Sequence, residues 1–145
     1  MKMLGKFWRL RMINQTGQTM TYTGAARILI RFMQWKLSSG NLVYASVTTE
    51  DLGFSSGTIV DDGEVESTVV ENTTDLYLGV NGTFEIIHDL DAAVGQCRLY
   101  LEFSDNNGNW PSDALDFAIS DLIQIAVLDI DNTGDDKSRS VNFEF

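Results

Sequence analysis

The chain is poor in the residues that most often carry chemistry, with one cysteine, one histidine and one proline among 145 residues. The single cysteine, Cys97, excludes an internal disulfide, and together with one histidine it supplies too few soft ligands for a zinc site. A single proline excludes a proline-rich linker. No apolar stretch approaches the ~20 residues of a membrane-spanning helix. Near the amino terminus, Lys6, Arg9 and Arg11 interrupt the apolar core that a signal peptide needs.

The patterns that support catalysis are also missing. His88 stands beside Asp89 at a predicted strand end, a position typical of a surface turn residue, and no motif places it beside a serine or Cys97. Neither glycine-rich phosphate-binding pattern, GxGxxG or GxxxxGK[ST], occurs in the sequence. We therefore predict no enzyme, no catalytic residue and no cofactor.

Acidic turns raise the question of calcium. The segment 129–140 begins like an EF-hand loop, but Ser140 stands where the bidentate glutamate is required. Asp129, Asp131 and Asp135 are the weak calcium candidates that remain. Because Asp, Asn and Gly also form turns on their own, the sequence predicts no metal site.

Acidic residues are absent from the first third of the chain, and this asymmetry is its most distinctive property. Seven of the ten basic residues lie at or before Lys36, whereas all 21 acidic residues lie at or after Glu50. Such sorting favours a segment that works against a partner surface. The formal net charge of −11 argues against nucleic acid as a partner of the body.

We interpret residues 1–24 as an extended basic arm and residues 25–145 as the folded domain. The arm is too apolar to be left in water, so it needs a protein surface, in a second copy of the chain or in another protein. The alternative is a basic edge of one ordinary domain. The residues expected to make the arm contact are Lys2, Lys6, Phe7, Trp8, Arg9, Leu10 and Arg11.

The rest of the chain predicts an all-β fold. Period-two patterning dominates, and turn signals separate short runs rich in branched and aromatic residues. This pattern predicts an antiparallel β-sandwich of about seven to nine strands. It does not decide between a jelly-roll and an immunoglobulin-like topology. The candidate strands are 27–35, 41–49, 67–72, 75–80, 83–90, 96–104, 122–130 and 140–145. The segment 51–64 is expected to be a loop, and 112–121 a short helix or structured loop.

Two details of this pattern are specific. The pair Asn81-Gly82 is either a hairpin turn or a bulge within one long strand. In 96–103, alternation places Cys97 on an apolar face, where a buried, unreactive thiol is expected, and places Tyr100 and Glu102 on the opposite face.

The loop NNGNWP carries the candidate ligand or partner residues Asn107 and Trp110. A tryptophan at such a tip is either exposed or held against another surface. A carbohydrate-binding module would use Trp110 with Tyr100.

Two segments resemble small structural proteins of tailed-bacteriophage virions. They are TTDLYLGVNGTFEI (73–86) and GQCRLYLEFSDNNGNWPSD (95–113), which share a strand–loop–strand pattern with those proteins. The resemblance covers less than a third of the chain, and the basic amino-terminal stretch departs from a typical decoration protein. The matching positions of the second segment are Gly95, Leu99, Tyr100, Leu101, Ser104, Asn107, Gly108, Trp110 and Pro111.

The resemblance implies a non-enzymatic β-sandwich that decorates or cements a capsid. It implies a homo-oligomer that binds a major capsid protein or another virion protein and is assembled in the host cytoplasm. Neck or tail components and carbohydrate-binding adhesin-like modules are the alternatives. A small glycosidase or lyase is the weakest of the hypotheses, because only abundant acids point to it.

Overall fold

The computed structural model describes residues 4–22, 27–46, 48–50, 56–88, 90, 95–113, 122–130 and 137–145. These residues form twelve strands and one 3-10 helix, Pro111–Asp113, and no α-helix is present among them. The strands are β1 (Phe7–Gln15), β2 (Met20–Tyr22), β3 (Arg27–Ser38), β4 (Asn41–Tyr44), β5 (Thr48–Glu50), β6 (Gly57–Ile59), β7 (Glu64–Glu66), β8 (Val70–Glu71), β9 (Gly79–His88), β10 (Gly95–Ser104), β11 (Ile123–Ile130) and β12 (Lys137–Glu144).

The strands form two antiparallel sheets that pack face to face, which confirms the predicted β-sandwich. The first sheet has the order β11-β10-β1-β7, with β8 also paired to β1. The second has the order β12-β9-β3-β4, with β5 also paired to β3. A separate ribbon joins β2 to β6. Consecutive strands β9 and β10 belong to different sheets, so the chain crosses between the two layers.

The core lies between the sheets and is built from alternate residues of four long strands. The ring of Trp8 from the first sheet meets Phe32 from the second edge-on, with ring centroids 5.3 Å apart and an interplanar angle of 80°. Both rings are almost completely buried. The other large side chains of this layer that are fully buried are Leu10, Met12, Met20, Ile28, Ile30, Phe84, Ile86, Leu99 and Leu101.

The structure corrects the prediction of an amino-terminal arm. Strand β1 pairs with β10 over its whole length and with β7 and β8 on its other side, so it lies inside the first sheet. Trp8, Leu10 and Met12 enter the core of their own domain. The apolar stretch needed a surface, as expected, but it finds that surface in the same chain. Residues 1–3, with Lys2, and 23–26 lie outside the described residues.

Several strand boundaries also differ from the prediction. The predicted strand 41–49 is divided into β4 and β5, and only Val70–Glu71 of 67–72 is a strand. The predicted loop 51–64 contributes β6 and the start of β7. The loop predicted from the turn-forming residues is therefore too long, because short strands can follow directly on such turns.

The pair Asn81-Gly82 is neither a hairpin turn nor a bulge. Both residues lie within β9, and the register to β3 and β12 runs through them without a shift. A Cβ atom on Gly82 would lie 2.6 Å from the ring of Phe143 and closer still to the Arg31 carbonyl. Glycine is therefore needed at this position for packing, not for a turn.

Strand β10 is buried on both faces, although alternation predicted one solvated face. Cys97, Leu99 and Leu101 lie in the main core as expected. Tyr100 on the opposite face is only 4% exposed and packs in a second cluster with Ile13 and Leu122. A residue alternating with core positions is therefore not necessarily exposed in this sheet.

His88 was predicted at the surface, and this is wrong. Its side chain is 1% exposed, at the end of β9. Its Nδ1 accepts a hydrogen bond of 3.3 Å from the Leu90 amide. The histidine thus helps to hold the end of the strand.

Candidate functional site

The predicted contact residues Arg9 and Arg11 lie on the outer face of the first sheet, opposite the core. The register places Arg9 beside Glu102 of β10 and Arg11 beside Glu66 of β7. Arg9 Nη1 is 2.6 Å from Glu66 Oε2, and Arg11 Nε donates to Glu102 Oε1 at 2.7 Å. Arg11 also pairs with Glu64 and Glu66. We call these two arginines and three glutamates the ionic cluster.

The centre of the ionic cluster is removed from water. Arg11 is 3% and Glu102 1% exposed. Burial alone would raise the pKa of Glu102, but hydrogen bonds from Arg11 and Ser112 and the charges of Arg11 and Arg9 outweigh it, so the pKa lies below the ordinary glutamate value. Burial would lower the pKa of Arg11, but its bonds to Glu102 and Glu64 raise it overall. Both groups therefore stay charged at neutral pH.

Trp110 covers this cluster instead of facing a ligand. Its side chain is 8% exposed, and the Arg9 guanidinium carbon lies 4.4 Å from its ring centroid, which is a cation–π contact. In the 3-10 helix that follows, Ser112 Oγ donates to Glu102 Oε2 at 2.7 Å and accepts from Arg11 Nη2 at 2.6 Å. The loop is thus held against the chain's own first sheet.

Asn107, the other loop candidate, is not part of this cluster. It is exposed and adopts a left-handed φ of 58° at the loop tip. The neighbouring Asn106 Oδ1 accepts hydrogen bonds from the amides of Gly108 and Asn109, at 3.0 and 3.1 Å. The Asn-rich tip is therefore organised by its own side chain–backbone bonds.

The remaining predicted residues are structural or peripheral. Trp8 and Leu10 lie in the core, Phe7 is half-buried and Lys6 is exposed. Of the calcium candidates, Asp129 is exposed and accepts a hydrogen bond from Gln96 Nε2 at 2.9 Å, whereas Asp131 and Asp135 lie outside the described residues. Within the described ranges, no group of three or more metal-binding side chains occurs.

Cys97 is the buried thiol that the sequence predicts. It is fully buried in the core, and burial raises its pKa to about 12. A thiol with so high a pKa is protonated at neutral pH and is a poor nucleophile.

The surface that stands out for binding is a hairpin formed by β3 and β4. Among the described residues, strand β3 pairs with β9 over 27–35, and beyond Trp35 it pairs with β4 alone. Ser39 and Gly40 form the turn with φ values of 51° and 80°, the left-handed pair of a type I′ turn. This tight turn keeps the hairpin regular where it extends past β9.

One side of this hairpin is apolar and exposed. Trp35 lies opposite Tyr44, and Leu37 lies opposite Leu42, so the four side chains share one face. Leu37, Leu42 and Tyr44 are 54%, 51% and 48% exposed. We call these four side chains the hairpin face. Contiguous exposed apolar side chains of this kind mark interaction surfaces more often than isolated ones do.

The base of the hairpin is fixed to the sandwich. Trp35 Nε1 donates to Asn81 Oδ1 at 3.1 Å, and a Cβ atom on Gly79 would overlap the Trp35 ring, so the indole lies directly on the backbone of β9. Lys36, on the opposite side, pairs with Asp75 at 2.9 Å and lies 5.1 Å from the Tyr77 ring centroid. The hairpin face is therefore presented on an anchored support.

Sequence reasoning missed the hairpin face, although a signal was present. Residues 37–49, which separate Lys36 from Glu50, contain no charged residue. The apolar residues on both sides of the SSGN turn were interpreted as ordinary strand residues. Their exposure depends on the outer face of the second sheet being left uncovered at the hairpin, which no local pattern reveals.

Comparison with known proteins gives no match among protein-family models, curated proteins or solved structures. No helix in the described part of the chain is long and apolar enough to cross a membrane.

Proposed function

We propose that this protein is a non-enzymatic structural subunit of a phage virion, most simply a capsid decoration or cement protein. In this proposal it docks on a neighbouring virion protein through the hairpin face. The observation that carries the docking step is the exposure of three large apolar side chains on a regular, anchored hairpin. The virion setting comes from the resemblance of residues 73–86 and 95–113.

The chemistry of the hairpin face favours a protein partner. Aliphatic side chains supply two of its four members, and they offer no hydrogen bonds to sugar hydroxyls. Aromatic and aliphatic groups without charge are typical of the desolvated centre of a protein interface. Burial of this surface would contribute about 25 cal/mol for each Å² removed from water.

Two buried ionisable groups of the first sheet, Glu102 and Cys97, also favour a structural role. Glu102 is held as a carboxylate by two arginines, and Cys97 is held as a thiol. A general acid or base works best with a pKa near the working pH, and neither group meets this condition. Their arrangement supports stability of the sandwich.

The carbohydrate-binding alternative loses its proposed contact residues. It required Trp110 and Tyr100 at a surface, and they are 8% and 4% exposed. A neck or tail position within the virion fits the same docking surface as a head position.

Labelling of particles tests this proposal. Antibodies raised against the protein should decorate intact particles of the source virus. Purified protein should co-sediment with particles assembled without it, and Leu37→Asp should reduce this binding at least about tenfold, because a charge would be buried in the contact. Val60→Asp is the matched control, since Val60 is 60% exposed away from the hairpin. A protein absent from particles, or equal binding by both variants, would contradict the proposal.

A further inference from the structure

The hairpin has a second unpartnered feature, the free edge of β4. In the described part of the second sheet, β4 is a terminal strand with β3 on one side. The shorter β5 pairs with β3 at Ile30–Phe32 and so lies away from β4 along the strand. The backbone groups on the outer edge of β4 are thus available to another strand.

The hydrogen-bond alternation of the hairpin identifies these groups. The Ala45 amide donates to the Gln34 carbonyl at 2.8 Å, which makes this a hydrogen-bonded pair. Hydrogen-bonded and non-hydrogen-bonded pairs alternate along two antiparallel strands, so Val43 and Lys36 form the next hydrogen-bonded pair. The N–H and C=O groups of Leu42 and Tyr44 therefore point away from β3, to the open edge.

The edge is short, but its described residues lack the charge, proline and bulge that protect many natural edge strands. Natural edge strands are blocked by charged side chains, proline or a bulge. Asn41–Tyr44 has no charge and no proline, and its register with β3 is regular. In a chain of net charge −11, two copies repel each other in most orientations. The uncharged segment 37–49 adds no like-charge repulsion of its own to a contact between copies.

We propose that two copies of this chain associate through antiparallel pairing of β4 with β4. The two-fold axis passes beside Val43, and Leu42 of each copy pairs with Tyr44 of the other. Each of these two pairs exchanges two backbone hydrogen bonds, so four bonds form with no unmatched group between them. The contact is the same surface on both partners, as two-fold symmetry requires.

A second copy fits this edge better than an unrelated strand does. Leu42 and Tyr44, whose backbone groups point outward, flank the central Val43. The edge is therefore complementary to itself when a second copy pairs with it in this register. Leu42 of one copy then contacts Tyr44 of the other, and the two hairpin faces join into one continuous apolar surface. The dimer's role rests on the proposed function and deepens it. The joined surface doubles the area that can dock on a virion protein.

The dimer is expected to be weak in solution. Four residues from each copy form a contact well below the ~800 Å² per partner of a standard interface. Association should therefore depend on concentration and be favoured where many copies are held on one particle.

Sedimentation velocity of the full chain over a concentration series tests the pairing. The wild type should shift from monomer towards dimer as concentration rises. Leu42→Ala and Leu42→Pro both remove the leucine side chain, but only proline removes the outward-facing N–H, a position where an edge strand tolerates it. We expect Leu42→Pro to weaken the dimer at least about tenfold more than Leu42→Ala.

A cysteine cross-link provides a second readout that does not depend on proline. In the proposed register the two Val43 residues form a non-hydrogen-bonded pair with Cα atoms ~4.5 Å apart, within the range for a disulfide. Val43→Cys should thus form a covalent dimer under mild oxidation, whereas Asn41→Cys, on the same face but far from the axis, should not. The native Cys97 is buried and does not interfere.

Each outcome decides the inference separately from the proposed function. A wild-type protein that stays monomeric at all concentrations, or a dimer unaffected by Leu42→Pro, would overturn β4 pairing. Particle labelling would still stand in that case, and a foreign strand on β4 would then be the remaining occupant. A dimer without any labelling of particles would instead retain the pairing and overturn the virion role.

Discussion

The first strand and the β3–β4 hairpin have opposite properties. Strand β1 carries two arginines and is almost wholly buried, whereas residues 37–49 carry no charge and include the three exposed residues of the hairpin face. The arginines of β1 are buried because glutamates of β7 and β10 neutralise them within the same sheet. The hairpin side chains are exposed because they lie on the outer face of the second sheet, opposite the core residues Ile30 and Phe32, and no described element covers them. The charged face of β1 is therefore paired within its own sheet, and the uncharged hairpin face is exposed.

Trp8→Ala would show the contrast most strongly. We expect a loss of about 3–5 kcal/mol in the free energy of unfolding, because the ring fills the centre of the core against Phe32. Urea denaturation followed by fluorescence of the remaining tryptophans measures it. If β1 were a dispensable arm, the unfolding midpoint would not change.

Glu102→Gln is expected to have the next largest effect. The amide keeps the shape of the side chain but leaves Arg9 and Arg11 with one fewer compensating charge in a buried site. A loss of about 1–3 kcal/mol should follow. Glu85→Gln, at a more exposed ion pair with Arg31 at 2.7 Å, is the matched control and should cost less, about 1 kcal/mol or below.

Acid should destabilise both sheets through the ion-paired glutamates Glu102 of β10 and Glu85 of β9, before it affects the uncharged segment 37–49. The pKa values of Glu102 and Glu85 are lowered in the folded state from the ordinary value of 4.5. Their contribution to stability is therefore complete above pH 4.5 and is lost as the pH falls through the lowered folded-state pKa values. Urea midpoints measured from pH 7 down to pH 3 should decline in this lower range, and the decline should be shallower in Glu102→Gln. An identical pH dependence in the variant would contradict the assignment.

Leu37→Ser should have the smallest effect on stability. More than half of this side chain is already exposed, so we expect a change within about 0.5 kcal/mol. Thermal unfolding measures it. A large destabilisation would mean that the hairpin face is covered within the monomer, and the contrast with β1 would fail.

The sequence sufficed for the fold class because alternation and turn residues are local signals. It did not suffice for β1: residues 8–12 alternate apolar and basic side chains as a strand does, but local sequence does not show which surface the basic face lies against. The partners of its arginines, Glu64, Glu66 and Glu102, are distant in the sequence, so no local pattern links them. The exposure of the hairpin face has the same kind of origin, since it depends on which distant segments cover the outer face of the second sheet.

The pairing of β1 with β10 also determines when this protein can fold during its synthesis. The bond between Arg11 and Glu102 joins residues 91 positions apart. At a translation rate of ~5–20 residues per second, the first strand waits roughly 5–20 s for its partner to leave the ribosome. Throughout this interval Trp8 and its apolar neighbours lack the sheet that later covers them. The nascent chain is thus a substrate for chaperones until its last third has emerged, and truncated products should be insoluble.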